Sequence, residues 1–309
     1  MTGLPADTPT YLERLARHAG IDPTGIPLPV EGRVRVNGLW LRYLDWGDRT
    51  AAPLVLLHGG GQSARTWDAC CLVLARRYRC LALDQRGHGD SAWSPEGAYT
   101  FDDHAADIAA FVDALGLQTP MLVGMSMGGI NAIACAARNA QSLHALVIVD
   151  VGPEVQFAPV QRMLQGLAAY RRFVDLRDAA ERLSRLGARR EPALLEATLA
   201  LNLRQEQGGG LTWKYDPRTL VDLSAEALLA PRRALWGVLS RITCPVLVLR
   251  GEQSEVFSEA DAERLAAGLP QASRDTVRGA RHSVQTDSPA NLAEAIVRFD
   301  ERLRTLTSS

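Results

Sequence analysis

The chain has 309 residues, of which 47% are hydrophobic and 22% are charged, and its formal net charge is −1. This composition is typical of a globular enzyme and excludes a disordered or fibrous protein. The near-zero net charge provides no general attraction to nucleic acid or to an anionic membrane surface, so neither is expected as a partner.

The first part of the chain carries no recognisable targeting signal. The stretch MTGLPADTPT lacks the basic start and apolar run of a secretory signal, and no later stretch approaches the roughly 20 apolar residues of a membrane span. The five cysteines lack metal-ligand spacing and are expected to be reduced core thiols, as in a cytoplasmic protein. Residues 1–30, with a short helix and a Pro-rich link, are predicted to form an N-terminal extension.

The next elements predict an α/β domain. Residues 32–47 alternate between apolar and polar and contain Asn37-Gly38, which predicts an antiparallel hairpin at the edge of a sheet. Helical patterns follow; Thr100 and Asp103, for example, resemble a capping box at the start of one helix. Repeated strand–helix–strand units predict a mainly parallel sheet with helices on both faces. Continuous apolar runs predict its buried strands at 53–59, 79–84, 120–125, 144–150 and 245–251.

Residues 153–236 interrupt this alternation. They contain helical stripes but no convincing buried strand, and a polar loop at 204–219 divides them. A helical insertion between two strands of the main sheet is therefore predicted. The sheet domain itself would then comprise residues 31–152 and 237–309.

A serine lies at the joint between a predicted strand and a predicted helix, in the stretch VGMSMGGINA. A strand that ends in Gly-x-Ser-x-Gly and enters a helix makes a tight turn, and Gly124 and Gly128 are needed because the backbone approaches neighbouring elements closely. This turn holds Ser126 at the carboxyl edge of the sheet, over the positive end of the helix. Because a serine hydroxyl needs a base to take its proton, Ser126 is the candidate nucleophile.

The general base is expected to be a histidine far along the chain. Five of the six histidines fall on helix patterns, at strand ends or in loops, and His58 and His88 are interpreted as supports of their own loops. His282, in VRGARHSVQ, lies on a loop after the last apolar run and just before the final predicted helix. That position makes His282 the candidate base.

The glycine run HGGGQS, at 58–63, is the candidate source of oxyanion donors. Attack on a carbonyl builds negative charge on oxygen, which preplaced N–H groups stabilise. The run follows a predicted strand at the same sheet edge as Ser126 and can turn its amides inward. The amides of Gly60 and of Met127, the residue after the nucleophile, are therefore the expected donors.

The order of these motifs resembles the α/β-hydrolase fold superfamily. The stretches HGGG, DQRGHGDS, GMSMGG, RGEQSEVFS and GARHSV follow one another as they do there, and the resemblance covers residues 31–305. It implies an eight-stranded, mainly parallel sheet flanked by helices, with residues 153–236 inserted after strand 6 as a helical cap over the active site. It also implies that Trp67 lies near the pocket, and Trp213 is the cap aromatic expected to bind substrate.

The chain departs from that superfamily at the triad acid. Most members have Asp three residues past the Gly that ends the strand PVLVLRG, whereas this chain has Ser254 there. Haloalkane dehalogenases, certain epoxide hydrolases and fungal zearalenone lactonases take the acid from the end of the preceding strand, where this chain has Asp150. An Asp that closes an apolar strand is costly to bury unless it is paired, for example with a histidine N–H. Asp150 is the candidate acid, and the neighbouring Glu255 is the alternative.

A serine nucleophile in this fold implies hydrolysis of an apolar small-molecule ester or lactone through an acyl-enzyme. Thioester hydrolysis, C–C bond hydrolysis of dienoate ring-fission products, perhydrolysis and slow-turnover ligand reception use the same triad and remain alternatives. The sequence has no metal-ligand cluster and no phosphate-binding fingerprint, so no cofactor or metal is expected. A homodimer is compatible with the sequence. The cap cations are expected to be solvated rather than to bind carboxylates: Arg171, Arg172, Lys214 and Arg218.

Overall fold

The computed structural model describes residues 8–185, 190–220 and 224–307. Its strands in chain order are β1 (Val30–Val36), β2 (Leu39–Trp46), β3 (Ala52–Leu57), β4 (Tyr78–Leu83), β5 (Met121–Met125), β6 (Ala145–Val149), β7 (Arg172–Phe173), β8 (Leu203–Gln205), β9 (Leu211–Trp213), β10 (Val246–Gly251) and β11 (Ala272–Val277). Its α-helices are α1 (Thr8–His18), α2 (Asp68–Leu74), α3 (Phe101–Ala114), α4 (Met127–Asn139), α5 (Phe157–Ala169), α6 (Leu176–Arg185), α7 (Pro192–Asn202), α8 (Ala225–Arg233), α9 (Glu259–Ala267), α10 (Val284–Asp287) and α11 (Pro289–Thr307).

Eight of these strands form one sheet in the order β1-β2-β4-β3-β5-β6-β10-β11. β1 and β2 pair antiparallel through a turn in which Asn37 and Gly38 both have positive φ, at 48° and 81°. This is the turn that an Asn-Gly pair favours, because both residues tolerate positive φ. β2 also runs antiparallel to β4, and the remaining pairs are parallel. The predicted eight-stranded, mainly parallel sheet is confirmed.

Helices cover both faces of the sheet, as its continuous apolar strands require. Along β3, Val55 and Leu57 pack into the layer that contains α3 and α4, and Leu54 and Leu56 pack into the layer that contains α2 and α11. All four side chains are fully buried. A strand with no solvated face shows no alternation, which is why these strands are apolar throughout.

The last strand of the sheet, β11, was not predicted from the sequence pattern. It reads ASRDTV, and five of its six residues are partly or fully exposed. An edge strand needs no continuous apolar run, and charged side chains on it protect the sheet from pairing with another chain. The eighth strand was therefore expected from the resemblance and not located from the residues.

The N-terminal helix α1 packs against the sheet domain. Its buried residues Tyr11, Leu12 and Leu15 join the apolar cluster that contains α2 and α11. Leu194 of α7 belongs to the same cluster, so α1 contacts both the sheet domain and the inserted segment. The predicted extension thus carries a helix with an apolar face that is used in packing.

The segment between β6 and β10 contains α5 to α8 and also a small antiparallel sheet in the order β7-β9-β8. The sequence predicted no buried strand here and a loop at 204–219; β8 and β9 form a hairpin within that range, so the loop prediction was wrong, and none of the three strands is buried along its length. Strands of two or three residues are too short to show alternation. The hairpin between β8 and β9 turns through Gly208, Gly209 and Gly210, all of which have positive φ. A 3-10 helix, Ala234–Arg241, runs across the predicted end of the insertion at residue 236.

Among the residues that the structure describes, no helix has the length and apolar character that crossing a membrane requires.

Candidate active site

Ser126 occupies the sharp turn between β5 and α4. Its backbone has φ 52° and ψ −120°, which is rare for a residue with a side chain. A Cβ at Gly124 would lie 2.3 Å from the Gly128 carbonyl oxygen, and a Cβ at Gly128 would lie 2.3 Å from the Leu57 carbonyl oxygen. Only glycine fits at either position. The Ser126 hydroxyl makes no capping bond to α4, so it can interact with other groups.

His282 lies on the loop between β11 and α10 and faces the serine. Its Nε2 is 3.1 Å from Ser126 Oγ, and its Nδ1 is 2.8 Å from Asp150 Oδ2. A carboxylate can only accept, so Nδ1 carries the proton and donates to Asp150. The lone pair of the imidazole then lies on Nε2, which faces the serine hydroxyl. This is the tautomer that a general base for Ser126 needs.

Asp150 follows β6 directly and is fully buried. Its backbone also has positive φ, at 54°. Oδ1 accepts a hydrogen bond from the Gly251 amide at 2.7 Å, and Oδ2 accepts one from Ser254 Oγ at 2.5 Å in addition to that from His282. A buried carboxylate is costly unless such donors surround it. The structure therefore brings Ser126, His282 and Asp150 into one hydrogen-bonded chain.

Ser254 stands where most members of the resembled superfamily have their acid. Its hydroxyl donates to Asp150 and faces the amides of Val256 and Phe257, at 3.2 and 3.3 Å, as an acceptor. The sequence indicated Ser254 only as a missing acid. Its contact with a carboxylate 104 residues away depends on tertiary packing, so no local pattern could indicate it.

Glu255, the alternative acid, is not brought to this site. Its side chain is 76% exposed and pairs with Arg162 at 3.1 Å. Because Ser254 turns inward to Asp150, the next side chain on this loop points to solvent. Of the two candidate acids, Asp150 is the carboxylate that contacts His282.

The glycine loop after β3 runs beside Ser126. A Cβ at Gly59 would lie 3.4 Å from Ser126 Cβ, and the Gly59 amide donates to Gln62 Oε1 at 3.0 Å. The Gly60 amide has no acceptor within residues 8–185, 190–220 and 224–307. Met127 is the first residue of α4, so its amide has no acceptor inside the helix. In the part of the chain that the structure describes, neither predicted donor amide has an acceptor, and Gly60 and Met127 directly follow Gly59 and Ser126, which lie side by side.

Two buried histidines support the loops around the site, as the sequence indicated. His58 Nε2 accepts from the Gln85 amide at 3.1 Å, and its Nδ1 lies 2.8 Å from the Gly59 carbonyl oxygen. His88 Nδ1 lies 3.0 Å from the Arg86 carbonyl oxygen. Burial lowers the pKa of His58 to about 4, and burial together with His58 lowers the pKa of His88 to about 3. Both imidazoles are therefore neutral near pH 7, and neither contacts Ser126.

The two tryptophans predicted to bind substrate differ in their exposure: Trp67 is fully buried and Trp213 is partly exposed. Trp67 ends a 3-10 helix and is fully buried in the core cluster with Leu54 and Leu72, so its ring has no surface for a ligand and that prediction was wrong. A large apolar ring gains most from such burial. Trp213 lies on β9, donates to the Tyr170 carbonyl oxygen at 2.7 Å and packs against other cap residues. Its contact with substrate stays a prediction.

The inserted segment covers the glycine loop with apolar side chains. A Cβ at Gly61 would lie 3.0 Å from Leu167 Cδ1 on α5. The Leu167 carbonyl oxygen accepts from Tyr215 Oη at 3.3 Å, which holds this part of α5 over the loop. Val160 and Leu164 of the same helix are buried in the cluster that contains α4. The Leu167 side chain of α5 therefore packs against the glycine loop.

Three curated relatives resemble most of this chain. An esterase of Mycobacterium tuberculosis is 30% identical over 304 residues, which cover 96% of each chain. The 3-hydroxybutyrate-oligomer hydrolase of Cupriavidus necator is 30% identical over 82% of this chain and 91% of its own length. The 2-(acetamidomethylene)succinate hydrolase of Mesorhizobium japonicum is 30% identical over 87% of this chain and 95% of its own length.

The solved structures and the family model agree with these relatives. The crystal structure of the Mycobacterium tuberculosis esterase superimposes with a TM-score of 0.76 at 29% identity, covering 97% of this chain and 99% of that one. The family model for the alpha/beta hydrolase fold matches residues 52–289, which span the glycine loop, the serine turn and the His282 loop. The chain is a member of the α/β-hydrolase fold family.

Proposed function

We propose that this protein is a serine hydrolase that cleaves uncharged carboxylic esters or lactones through an acyl-enzyme. One observation carries the proposal: the contact of Ser126 Oγ with His282 Nε2 at 3.1 Å and of His282 Nδ1 with Asp150 Oδ2 at 2.8 Å. The relatives support a hydrolase in general, since they include an esterase and two further hydrolases.

The first half-reaction acylates the serine. Ser126 Oγ forms a bond to the carbonyl carbon of the substrate as its proton passes to His282 Nε2. Asp150 stabilises the imidazolium because its carboxylate accepts the Nδ1–H in a buried environment. When the tetrahedral intermediate collapses, the bond to the leaving alcohol breaks and that alcohol takes the proton from His282.

The second half-reaction releases the acid. Water gives a proton to His282 Nε2 and attacks the acyl carbon; the bond to Ser126 Oγ then breaks and the serine takes the proton back. For a lactone the leaving hydroxyl stays attached to the acyl chain, so ring opening follows the same two steps. Neither half-reaction consumes a co-reactant other than water.

Both tetrahedral intermediates carry negative charge on oxygen. The amides of Gly60 and Met127 are the proposed donors to this oxygen, because neither has an acceptor among the described residues and each directly follows a residue, Gly59 or Ser126, at the contact between the glycine loop and the serine turn. The N-terminal end of α4 adds a favourable potential at the same point. Donors that are already in place need no reorganisation during the reaction, which is what makes them effective.

An uncharged acyl group suits the surroundings of the site. The side chain over the glycine loop is Leu167, and the neighbouring buried positions of α5 are apolar. Of the four cations that the sequence analysis singled out in this segment, three are engaged by acids: Arg172 by Glu206, Lys214 by Asp90 and Arg218 by Asp216. The fourth, Arg171, is exposed. A substrate carboxylate would thus have to compete with these acids for Arg172, Lys214 or Arg218.

A matched pair of esters tests the substrate class. We expect p-nitrophenyl butyrate to be hydrolysed with a kcat/KM at least about tenfold above that of the p-nitrophenyl hemisuccinate, which has a similar length and a carboxylate, because burying an unpaired charge is costly. Ser126→Ala is the control for serine-dependent turnover. Preference for the hemisuccinate would instead favour an acidic substrate, as in the 2-(acetamidomethylene)succinate hydrolase. A single turnover followed by arrest would favour a ligand receptor.

A further inference from the structure

A buried glutamine links the loop that carries His282 to the glycine loop. Gln285 is fully buried and lies on α10, three residues after His282. Its Nε2 lies 3.2 Å from Gln62 Oε1 and 3.0 Å from Thr66 Oγ1. Gln62 Oε1 also accepts from the Gly59 amide at 3.0 Å. One amide side chain therefore contacts the loop that supplies the proposed oxyanion donor.

Hydrogen-bond chemistry fixes the direction of this network. The Gly59 amide can only donate, so the atom of Gln62 that faces it must be the carbonyl oxygen Oε1. This carbonyl oxygen can only accept, so the atom of Gln285 that faces it must belong to the NH₂ group. The order is therefore Gln285 Nε2 to Gln62 Oε1, with the Gly59 amide as the second donor to that oxygen.

This network determines which amide of the glycine loop stays unused. The side-chain oxygen Gln62 Oε1 accepts a hydrogen bond from the Gly59 backbone amide. The backbone amide of Gln62 in turn donates to the Gly59 carbonyl oxygen at 3.2 Å, which closes a tight turn over 59–62. Within that turn the Gly60 amide is left without an acceptor in the described part of the chain. The orientation of Gly60 thus depends on Gln62, and the orientation of Gln62 depends on Gln285.

Packing alone does not explain an amide at position 285. A buried amide costs free energy unless both of its polar atoms are hydrogen-bonded. Gln285 Oε1 accepts no hydrogen bond from residues 8–185, 190–220 or 224–307. Methionine has a similar volume and would avoid this cost. The side chain is therefore better explained by what its NH₂ group holds in place.

We propose that Gln285 is a positioning residue for the hydrolysis proposed above: it fixes the position of the glycine loop relative to the loop that carries His282. The inference rests on the proposed function, because it assigns Gly60 to the transition state. Gln285 itself touches neither the nucleophile nor the base. Its effect should appear in kcat, since oxyanion donors act on the tetrahedral intermediate more than on the bound ester.

Replacement of Gln285 by methionine tests this role. Loss of one oxyanion donor costs about 10²–10³-fold in kcat, so a misplaced donor should cost about 10–10²-fold. We expect Gln285→Met to lower kcat for p-nitrophenyl butyrate by that factor, with KM changed by less than about threefold. Gln285→Glu keeps the shape but sets a carboxylate against Gln62 Oε1, so its loss should be larger. Gln271→Met, on the surface, is the control.

Two further measurements separate positioning from a structural role. Affinity for an alkylboronic acid, which forms a tetrahedral adduct with serine, should fall in Gln285→Met by about the same factor as kcat/KM. Gln62→Met, at a partly exposed position, should give a similar loss, and the double variant should be no worse than the worse single variant. The second variant keeps the test valid if Gln285→Met does not fold.

The outcomes distinguish the two proposals. A wild-type protein without turnover that Ser126→Ala abolishes would overturn both. Serine-dependent turnover with kcat of Gln285→Met and Gln62→Met within twofold of wild type would overturn only the positioning role. Additive losses, or unchanged boronic acid affinity, would also overturn it.

Discussion

Moving the acid from residue 150 to residue 254 tests the geometry of the site most sharply. Asp150→Asn should lower kcat/KM by about 10⁴-fold, the loss seen for this change in a serine protease triad, or about 5 kcal/mol at about 1.4 kcal/mol per tenfold. Ser254 Oγ lies 2.5 Å from Asp150 Oδ2, so a carboxylate at position 254 would reach the space that the native carboxylate occupies. Adding Ser254→Asp to Asp150→Asn should therefore restore at least about 10²-fold.

The single substitution Ser254→Asp, with Asp150 retained, should lower the activity. Two carboxylates in contact cannot both ionise without strong repulsion, so one would hold a proton near neutral pH. We expect a lower kcat/KM and a pH–rate profile shifted towards higher pH. Glu255→Gln, which removes an exposed carboxylate paired with Arg162, is the matched control and should stay within twofold of wild type.

The assay is steady-state hydrolysis of p-nitrophenyl butyrate at pH 7.5, with circular dichroism to establish that each variant is folded. A folded double variant that is no more active than Asp150→Asn would refute the idea that position 254 can supply the acid. A loss of less than tenfold in Asp150→Asn would refute the role of Asp150 itself. Loss of activity in Glu255→Gln would favour Glu255 as the acid of the triad.

Two further predictions concern the serine and the buried tryptophan. Ser126→Ala should lower turnover by about 10³-fold or more and abolish the single label that an alkyl fluorophosphonate leaves on the wild type, as mass spectrometry would show; persistent labelling would place the nucleophile elsewhere. Trp67→Ala should cost about 3–5 kcal/mol in the free energy of unfolding, because it empties a fully buried site. Urea unfolding measures this, and a loss below about 1 kcal/mol would show that the ring is not packed as described.

The serine turn and the sheet could be predicted because their signals are local. Gly124 and Gly128 exclude a Cβ, and the strand before Ser126 is buried on both faces, so composition within ten residues determines the turn. His282 followed from its place before the last helix. Asp150 could not be identified from its local sequence. Only the resemblance indicated an acid at the end of β6, because Glu255 lies closer to the usual position of the acid.

The remaining features depend on contacts between distant segments. Ser254 reaches Asp150 across 104 residues and Gln285 reaches Gln62 across 223, so neither partner could be inferred from its neighbours. Trp67 was placed near the pocket from its motif, whereas its burial depends on how the 3-10 helix packs on the core. Local pattern determined backbone placement well, and the orientation of side chains required the packed structure.

Three buried histidines predict that the free energy of unfolding falls in mild acid. Burial lowers the pKa of His58 to about 4, of His88 to about 3 and of His104 well below 6.5. The unfolded chain therefore binds these protons near pH 6.5 while the folded chain does not, so stability falls as the pH drops below 6.5. By pH 4, the protonation of His58 and His88 in the unfolded chain should lower the free energy of unfolding by about 6 kcal/mol, at 1.36 kcal/mol per pKa unit.

One buried carboxyl opposes this loss and is too weak to cancel it. Burial raises the pKa of Asp68 from 3.8 to about 6 against the attraction of Arg65, so its contribution to stability is present at low pH and lost as the pH rises through 6. Its gain in the free energy of unfolding between pH 6 and pH 4 is about 2 kcal/mol, which leaves a net loss of about 4 kcal/mol before His104 is added. Urea unfolding at pH 7, 6, 5 and 4 should thus show a falling free energy of unfolding, and His88→Asn should flatten the decline by about 3 kcal/mol. A free energy that is constant or rises towards pH 4 would show that these imidazoles are protonated or solvated in the folded state.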